Sequence, residues 1–403
     1  MTPESWVIPF IASVGRWLPV CHPRKRRLIM ADYIQYQVKL TTISPLHIGS
    51  GRVLLQDYDY AVKKGYTWRL NEDTLLDAQQ VEDPRVLQKL MSSPPGHLLG
   101  EQDFTDQSPF FRYFIRGIPR SDQTGAELRE QLKNSLDQPF IPGSSIKGAL
   151  RTILAWKIAQ LTKLDPARME LDRKREWAAR NVERKLLVDP NARRGHEPNY
   201  DLLRALQVSD SLPLPASCLT LINVTVLNRG GTAGAPIELE AIKPDTTFTL
   251  TIKVDTALFS QWARRMGLNL PHTDLLTKLP EVINERARIQ VNQEFDWYQK
   301  INGAQRVAEF YQQLQQAQLG SNRALIQVGW GAGWHNKTLD NVLTINARFM
   351  DTIIRDYRMS RGNRHSGDPF PKSRRVVILT QKQPDGRTFA TPVRPMGWLL
   401  VEF

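Results

Sequence analysis

The sequence predicts an α+β protein made of two related halves, and three observations support this class. Alternating apolar and polar residues indicate strands, apolar residues at helical spacing indicate long helices, and each half has a glycine-rich turn beside a strand or a helix. The length of 403 residues allows two to three domains of about 100–200 residues each. We expect a loosely ordered extension over 1–29, a first domain over 30–215 and a second domain over 216–403.

The first half opens with strands. The segment Tyr33–Leu40 alternates in the manner of a half-buried strand, and a glycine-rich loop follows over 46–52. Residues 57–62 and 66–70 are predicted to pair as a hairpin. Residues 71–138 are polar with scattered prolines, so we expect an insertion with little core of its own.

A long helix follows this insertion. Apolar residues recur at helical spacing over about 144–164, and Ser144 or Ser145 is the expected N-cap. Residues 165–194 are charged and helical in character. They indicate either a solvated helix face or an insertion that touches nucleic acid.

The second half repeats the mixture of strands and helices. Strands are predicted at 206–209, 218–228, 237–242, 247–254, 325–328, 376–380 and 396–403. A helical tract covers about 257–319 with breaks near Pro271 and Pro280, and a further helix lies near 340–354.

The charge balance favours a polyanionic partner. Lys and Arg number 54 against 41 Asp and Glu, which makes the net charge +13. Such a surplus attracts nucleic acid, although it also serves simply to keep a protein soluble. The two cysteines, Cys21 and Cys218, form no CxxC motif and have no histidine pair nearby, so we expect no metal, no cofactor and a reducing cytoplasm. No apolar run approaches the ~20 residues of a membrane span.

The segment around the start of the long helix is a candidate phosphate site. Gly143 permits a tight approach to a helix N-terminus, and Lys147 and Arg151 lie four residues apart on one face. Alternatively, both cations are ordinary solvated side chains. Gly148 lies inside the helix at a cost of about 1 kcal/mol, which suggests that another backbone or a sugar-phosphate packs close to it.

Two further glycine-rich segments are candidates. Backbone N–H groups of Gly49, Ser50 and Gly51 could bind a phosphate together with Arg52, or they form a plain turn. We predict that His47, beside them, is a structural or RNA-contacting residue; the alternative is a general base.

The late segment over 329–338 interleaves glycines with tryptophans and ends in Lys337. Its glycines would let the chain lie along a nucleic-acid strand. Trp330 and Trp334 either stack on bases or belong to the core. A basic loop over 355–375 is a further candidate, as a guide-binding finger or a solvated loop.

Four motifs together resemble the RAMP superfamily of CRISPR-associated RNA-binding proteins. They are Ser44–Gly51, Ile141–Thr152, Val208–Ser211 and Gly329–Thr338. The combination is most similar to the head, or cap, subunit of type III-A effector complexes, and the likeness spans about 30–403.

This resemblance implies a fold and a function. The fold would be two ferredoxin-like, RRM-related domains with glycine-rich loops and helical insertions. The protein would be a non-catalytic RNA-binding cap subunit of a type III CRISPR ribonucleoprotein, would bind the 3′ part of the CRISPR RNA, and would end the backbone filament. Its partners would be that RNA, the adjacent backbone and small subunits, and nucleases recruited for guide maturation, with no membrane. The alternatives are an endoribonuclease that uses His47, as some RAMP relatives use a histidine, and a repeating backbone subunit.

The residues expected to bind RNA come from all these segments, with no catalytic residue and no metal ligand among them. They are His47, Gly49, Ser50, Gly51, Arg52, Gly143, Ser144, Ser145, Lys147, Gly148, Arg151, Gly329, Gly331, Gly333, Lys337, Arg361 and Arg364.

Overall fold

The structure is a computed structural model that describes most of the chain. It covers residues 29–403 except 31, 80–82, 86–87, 89–91, 122, 194, 232–235, 361–363 and 383–387. Nearly all of the extension expected over 1–29 lies outside the described residues, as does Arg361.

The described elements mix strands and helices, which confirms the α+β class; the ferredoxin-like form of the domains stays a prediction. The strands are β1 Ile29–Met30, β2 Tyr33–Thr42, β3 Gly49–Leu55, β4 Tyr60–Lys63, β5 Tyr66–Leu70, β6 Phe111–Arg116, β7 Glu127–Gln131, β8 Leu206–Val208, β9 Leu219–Asn228, β10 Ile237–Ile242, β11 Thr247–Asp255, β12 Arg323–Gln327, β13 Ser373–Lys382, β14 Thr388–Arg394 and β15 Trp398–Glu402. The α-helices are α1 Glu72–Asp77, α2 Gly143–Leu161, α3 Arg180–Leu187, α4 Gln261–Arg265, α5 Asp274–Thr277, α6 Leu279–Tyr298, α7 Gln305–Gln316, α8 Gly333–Lys337, α9 Asp340–Leu343 and α10 Ala347–Asp356.

The first sheet is antiparallel and has the strand order β12-β15-β2-β11-β8, with β1 added beside β2. Its central pair explains the alternation seen in the sequence. Val38 lies opposite Leu250 and Leu40 lies opposite Phe248, and all four side chains are buried. The apolar side of α2, including Leu150, belongs to the same core, so this helix covers the sheet.

The second sheet has the order β3-β7-β10-β9-β6-β5-β4, and β13 pairs with both β9 and β14. The pairs β7–β10 and β6–β9 are parallel, and the others are antiparallel. Both sheets take strands from either side of residue 215, since β2 and β15 lie in the first sheet and β3 and β10 in the second. The predicted domain boundary stays a prediction.

The prediction that 71–138 has little core was wrong. Strands β6 and β7 both lie in it and join the second sheet, with Ile115 and Leu128 buried. Strand β6 pairs with β5 and β9, and β7 pairs with β3 and β10, so each strand pairs only with segments that are distant in the sequence. Within the described residues, no helix combines the length and apolarity needed to cross a membrane.

Candidate nucleic-acid interface

The two sides of the second sheet differ in chemistry. Leu54 and Leu128 lie opposite each other and are buried on the core side. Val53, Arg129 and Leu239 lie in register on the other side, which we call the outer face. Alternation along β13 and its pairing with β9 place Arg375 on this outer face as well.

Trp330 covers part of the outer face. It follows β12 and packs beside Leu239 and Met396. Its ring centroid lies 5.3 Å from Cζ of Arg129 and 4.6 Å from Cζ of Arg375. Cation–π attraction therefore orients both guanidinium groups over the indole. Because two arginines lie over this ring, we read Trp330 as their platform and not as a stacking partner for a base.

Three cations that form no ion pair within the described residues meet at this place. No carboxylate in the described part of the chain forms an ion pair with Arg129, Arg375 or Lys337. Partial burial lowers the pKa of Arg375, and the charge of Arg129 lowers it further. Burial also lowers the pKa of Lys337, with a further contribution from Arg375. We call these three cations and Trp330 the Trp330 cluster; a bound anion would relieve the repulsion between its like charges.

Glycines shape the loop that presents this cluster. Gly329 has φ +81°, and a Cβ there would lie 2.5 Å from the carbonyl oxygen of His47. Gly331 has φ +91°, and its Cβ would lie 3.0 Å from Sδ of Met396. Both positions therefore require glycine for close approach within the protein. Only the first part is a loop, because α8 begins at Gly333, contrary to the loop expected through 338.

His47 is a buried residue that links the two glycine-rich segments, 46–52 and 329–338. The backbone N–H of Trp330 donates to the carbonyl oxygen of His47 at 2.8 Å. The imidazole is 2% exposed, and its Nδ1 lies 2.7 Å from the carbonyl oxygen of Glu240, so Nδ1–H is the donor. Burial lowers the pKa of His47 to about 4, against the effect of that hydrogen bond. The ring is therefore neutral near pH 7 and does not reach solvent.

The segment Gly49–Arg52 was expected to be a loop but forms the start of β3. It is exposed, and its pairing with β7 is irregular between Gly49 and Val53, where Gly51 has φ +92°. A bulge of this kind keeps strand pairing while exposing backbone groups. Arg52 forms an ion pair of 2.6 Å with Asp59, and Ser50 donates to Glu130 at 2.8 Å. The pairing places this segment beside Arg129.

The start of α2 packs against β8, which belongs to the first sheet, whereas the Trp330 cluster lies on the second sheet. The N-cap is Pro142, so Ser144 and Ser145 lie in the first turn and the prediction that one of them caps the helix was wrong. Gly143 donates its N–H to Oδ1 of Asp210 at 2.8 Å. A Cβ on Gly143 would lie 2.3 Å from the carbonyl oxygen of Val208, so this glycine serves packing against β8.

The cations of α2 have acidic neighbours. Arg151 forms ion pairs with Glu183 at 2.8 Å and with Asp201 at 2.9 Å. Lys147 is half-buried, and that burial lowers its pKa. Gly148 is exposed, and no atom lies within 4 Å of its virtual Cβ, so no other backbone packs there within the described chain. These carboxylates weaken the case for a phosphate at the helix start.

The remaining candidates lie apart from the Trp330 cluster. Arg364 pairs with Asp351 at 2.9 Å. Trp334 is anchored, because its indole N–H donates to Asp340 at 3.0 Å and its ring meets Phe370 edge-on. His335 also contacts Asp340, at 2.6 Å. Asp340 therefore anchors Trp334 and His335, which lie in the segment over 329–338.

Sequence reasoning missed the two arginines of the cluster. Arg129 lies on β7, inside the segment expected to have little core, and Arg375 was only one of many cations in the basic loop. The alternation around Leu128 was the available signal, but five residues are too few to establish a strand alone. No group of three His, Cys, Asp or Glu side chains suited to a metal ion occurs within the described residues.

Comparison with known proteins places the chain among CRISPR-associated proteins. The family model described as the RAMP superfamily matches residues 39–336. A relative from Methanocaldococcus jannaschii, named CRISPR system Cms protein Csm5, is 24% identical over 387 residues, which are 91% of this chain and 88% of that protein. A relative of the same name from Mycobacterium tuberculosis is 30% identical over 156 residues, or 37% of this chain. That match spans 41% of the length of the relative.

Two solved structures share the fold. One is a chain in the cryo-EM structure of a Csm–crRNA–target RNA ternary complex of a type III-A CRISPR-Cas system, with a TM-score of 0.64 and 23% identity. The other is the crystal structure of T. onnurineus Csm5, with a TM-score of 0.56 and 20% identity. Each match covers 91% of this chain and 100% of the other. At these identities the likeness concerns the fold.

Proposed function

The chain belongs to the RAMP superfamily, and from that premise we propose that it is a non-catalytic, RNA-binding subunit of a type III-A CRISPR effector complex. The name shared by its relatives and the complex in which a structural neighbour was solved support this proposal. We propose further that it is the cap subunit, which binds the 3′ part of the CRISPR RNA, ends the filament of backbone subunits and supports guide maturation through recruited nucleases.

The observation that carries the proposal is the Trp330 cluster. Arg129, Arg375 and Lys337 present positive charge on the outer face of the second sheet without ion-pairing carboxylates among the described residues. Guanidinium and ammonium groups of this kind bind backbone phosphates, and the binding weakens as salt rises. Such contacts position an RNA strand without reading its sequence, which suits a subunit that must accept any guide.

The geometry of His47 does not favour the endoribonuclease alternative. A general base needs access to the hydroxyl proton that it removes. The imidazole of His47 is buried, and Nδ1 is engaged by the carbonyl oxygen of Glu240. The backbone carbonyl of His47 instead accepts the N–H of Trp330, which links the two glycine segments. The repeating-subunit alternative is tested by stoichiometry, since a cap subunit is present once in a purified complex and a backbone subunit several times.

The test of the interface removes two of its charges. Arg129→Ala with Arg375→Ala is compared with Arg264→Ala and Arg265→Ala, whose exposed side chains lie on α4, outside every candidate segment. Both double variants change the net charge equally. The first should weaken single-stranded RNA binding. It should also reduce the magnitude of the slope of log K against log salt by about 1.4, because each of the two lost phosphate contacts contributes about 0.7. The control should leave the slope unchanged. Equal slopes for both double variants would refute the proposed interface.

A further inference from the structure

A second concave site lies at the β5–β6 side of the second sheet. It is a cleft of about 400 Å³ that opens to solvent and is bordered by Tyr66, Phe114, Arg116 and Lys243. Register connects it with the Trp330 cluster. Tyr66 lies opposite Arg116, and Arg116 lies opposite Thr220, two residues before Ile222 on the outer face. The wall of the cleft that carries Tyr66 and Arg116 therefore lies on the same side of the sheet as the cluster, while Ile115 and Leu219 of the core side complete the lining.

The aromatic wall of the cleft is rigid. Tyr66 is 37% exposed and meets the ring of Phe114 edge-on at 5.6 Å. Phe114 is stacked on Trp68 with 4.6 Å between ring centroids, and Trp68 is itself 3% exposed. A buried indole thus supports the two rings that border the cleft. Such a wall offers flat apolar area at little cost in side-chain entropy.

The rest of the border mixes apolar and polar residues, with Asp106 as the acidic one and Arg112 as a further cation beside Arg116 and Lys243. Lys243 donates to the carbonyl oxygen of Ser217 at 2.7 Å and forms no ion pair with a carboxylate of the described chain. Arg112 also lines the cleft, but Asp137 engages it at 2.6 and 2.8 Å. Oγ of Ser108, another lining residue, has no hydrogen-bond partner.

These features together match one ligand chemistry. We propose that the cleft receives an unstacked nucleobase of a single-stranded RNA that binds the outer face. The base would stack against Tyr66 and Phe114, and Lys243 would lie near a flanking phosphate. Every base has a π-face, so the site tolerates different sequences. This inference rests on the proposed RNA-binding function.

The test separates the base from the backbone. Binding of the full chain is measured for a uridine oligonucleotide and for the same oligonucleotide with abasic sites. Tyr66→Ala should weaken binding of the uridine RNA about tenfold, as expected for one lost stacking contact, with no change in salt slope and no change for abasic RNA. Tyr66→Phe should bind as the original protein does. Trp262→Ala, at an exposed aromatic position on α4, should have no effect.

The outcomes distinguish this inference from the proposed function. Equal losses of affinity for both RNAs, or no loss for either, would refute base binding in the cleft. Neither result would affect the proposal for the Trp330 cluster. Loss of assembly with neighbouring subunits at full RNA affinity would assign the cleft to a protein partner and overturn the inference. If Tyr66→Ala does not fold, cross-linking of the original protein to 4-thiouridine RNA replaces it. A cross-link at Tyr66 or Phe114 is then expected, and its absence overturns the inference.

Discussion

Two glycines of α2 should respond oppositely to the same substitution. Gly143 is buried at the start of the helix, where a Cβ would lie 2.3 Å from the carbonyl oxygen of Val208 and 2.6 Å from that of Ser209. Gly148 is exposed in the same helix, and nothing lies within 4 Å of its virtual Cβ. Alanine should therefore collide with backbone atoms at the first position and fit freely at the second.

The magnitudes follow from these surroundings. Overpacking typically costs about 1–3 kcal/mol, and a collision with backbone belongs at the upper end, so Gly143→Ala should lower the free energy of unfolding by about 3 kcal/mol. Gly148→Ala should raise it by about 1 kcal/mol, because alanine is the better residue in a helix interior. For a chain of 403 residues that unfolds as one unit, these changes correspond in melting temperature to roughly 3–4 °C downward and about 1 °C upward.

Thermal unfolding of the two single variants beside the original protein checks this pair. RNA affinity is measured at a temperature well below both transitions. We expect Gly148→Ala to bind RNA normally, because the proposed path of the sugar-phosphate strand is the outer face of the second sheet. A neutral Gly143→Ala would refute the packing argument. A stable Gly148→Ala that loses RNA would show that the strand approaches α2 after all.

Two further predictions concern His47 and Arg151. Because the pKa of His47 is lowered from 6.5 to about 4 in the folded protein, the unfolded chain takes up a proton first as pH falls, so stability is lost between those values. Between pH 7 and pH 5 this loss is about 2 kcal/mol. Urea unfolding at both pH values should show a smaller loss for His47→Asn, and an equal loss would contradict the buried neutral ring. Arg151→Ala should destabilise the protein by about 1–2 kcal/mol, since it leaves Glu183 and Asp201 without their partner. Lys147→Ala should stay within about 0.5 kcal/mol, and equal effects in urea unfolding would contradict the ion-pair assignment.

The regular parts of the fold could be read from the sequence because their signals are local. Strand β11 alternates through Phe248, Leu250 and Ile252, and α2 carries an apolar stripe over three turns or more. The alternation in β6 and β7 is too short to establish a strand by itself. These strands are held by pairing with β5 and β9 and with β3 and β10, which are distant in the sequence.

The candidate site was predicted only in part for the same reason. The glycines of the late loop are visible as a pattern, and Gly329 does occupy a conformation that requires glycine. Whether an arginine is available to a ligand depends on acidic groups that folding brings to it. Arg151 finds Glu183 and Asp201, which lie 32 and 50 residues away, while Arg129 and Arg375 find an indole instead. Neither the composition nor the residue spacing of the sequence reveals which arginines folding will pair with a carboxylate.

Cross-linking of the assembled ribonucleoprotein, with peptides identified by mass spectrometry, tests most directly whether RNA lies on the outer face of the second sheet. Peptides that contain Arg129, Trp330 or Arg375 should carry bound nucleotide, and these adducts should fall when Arg129 and Arg375 are both replaced by alanine. Adducts confined to residues 143–151, with none on the outer face, would contradict the assignment of the RNA-binding surface.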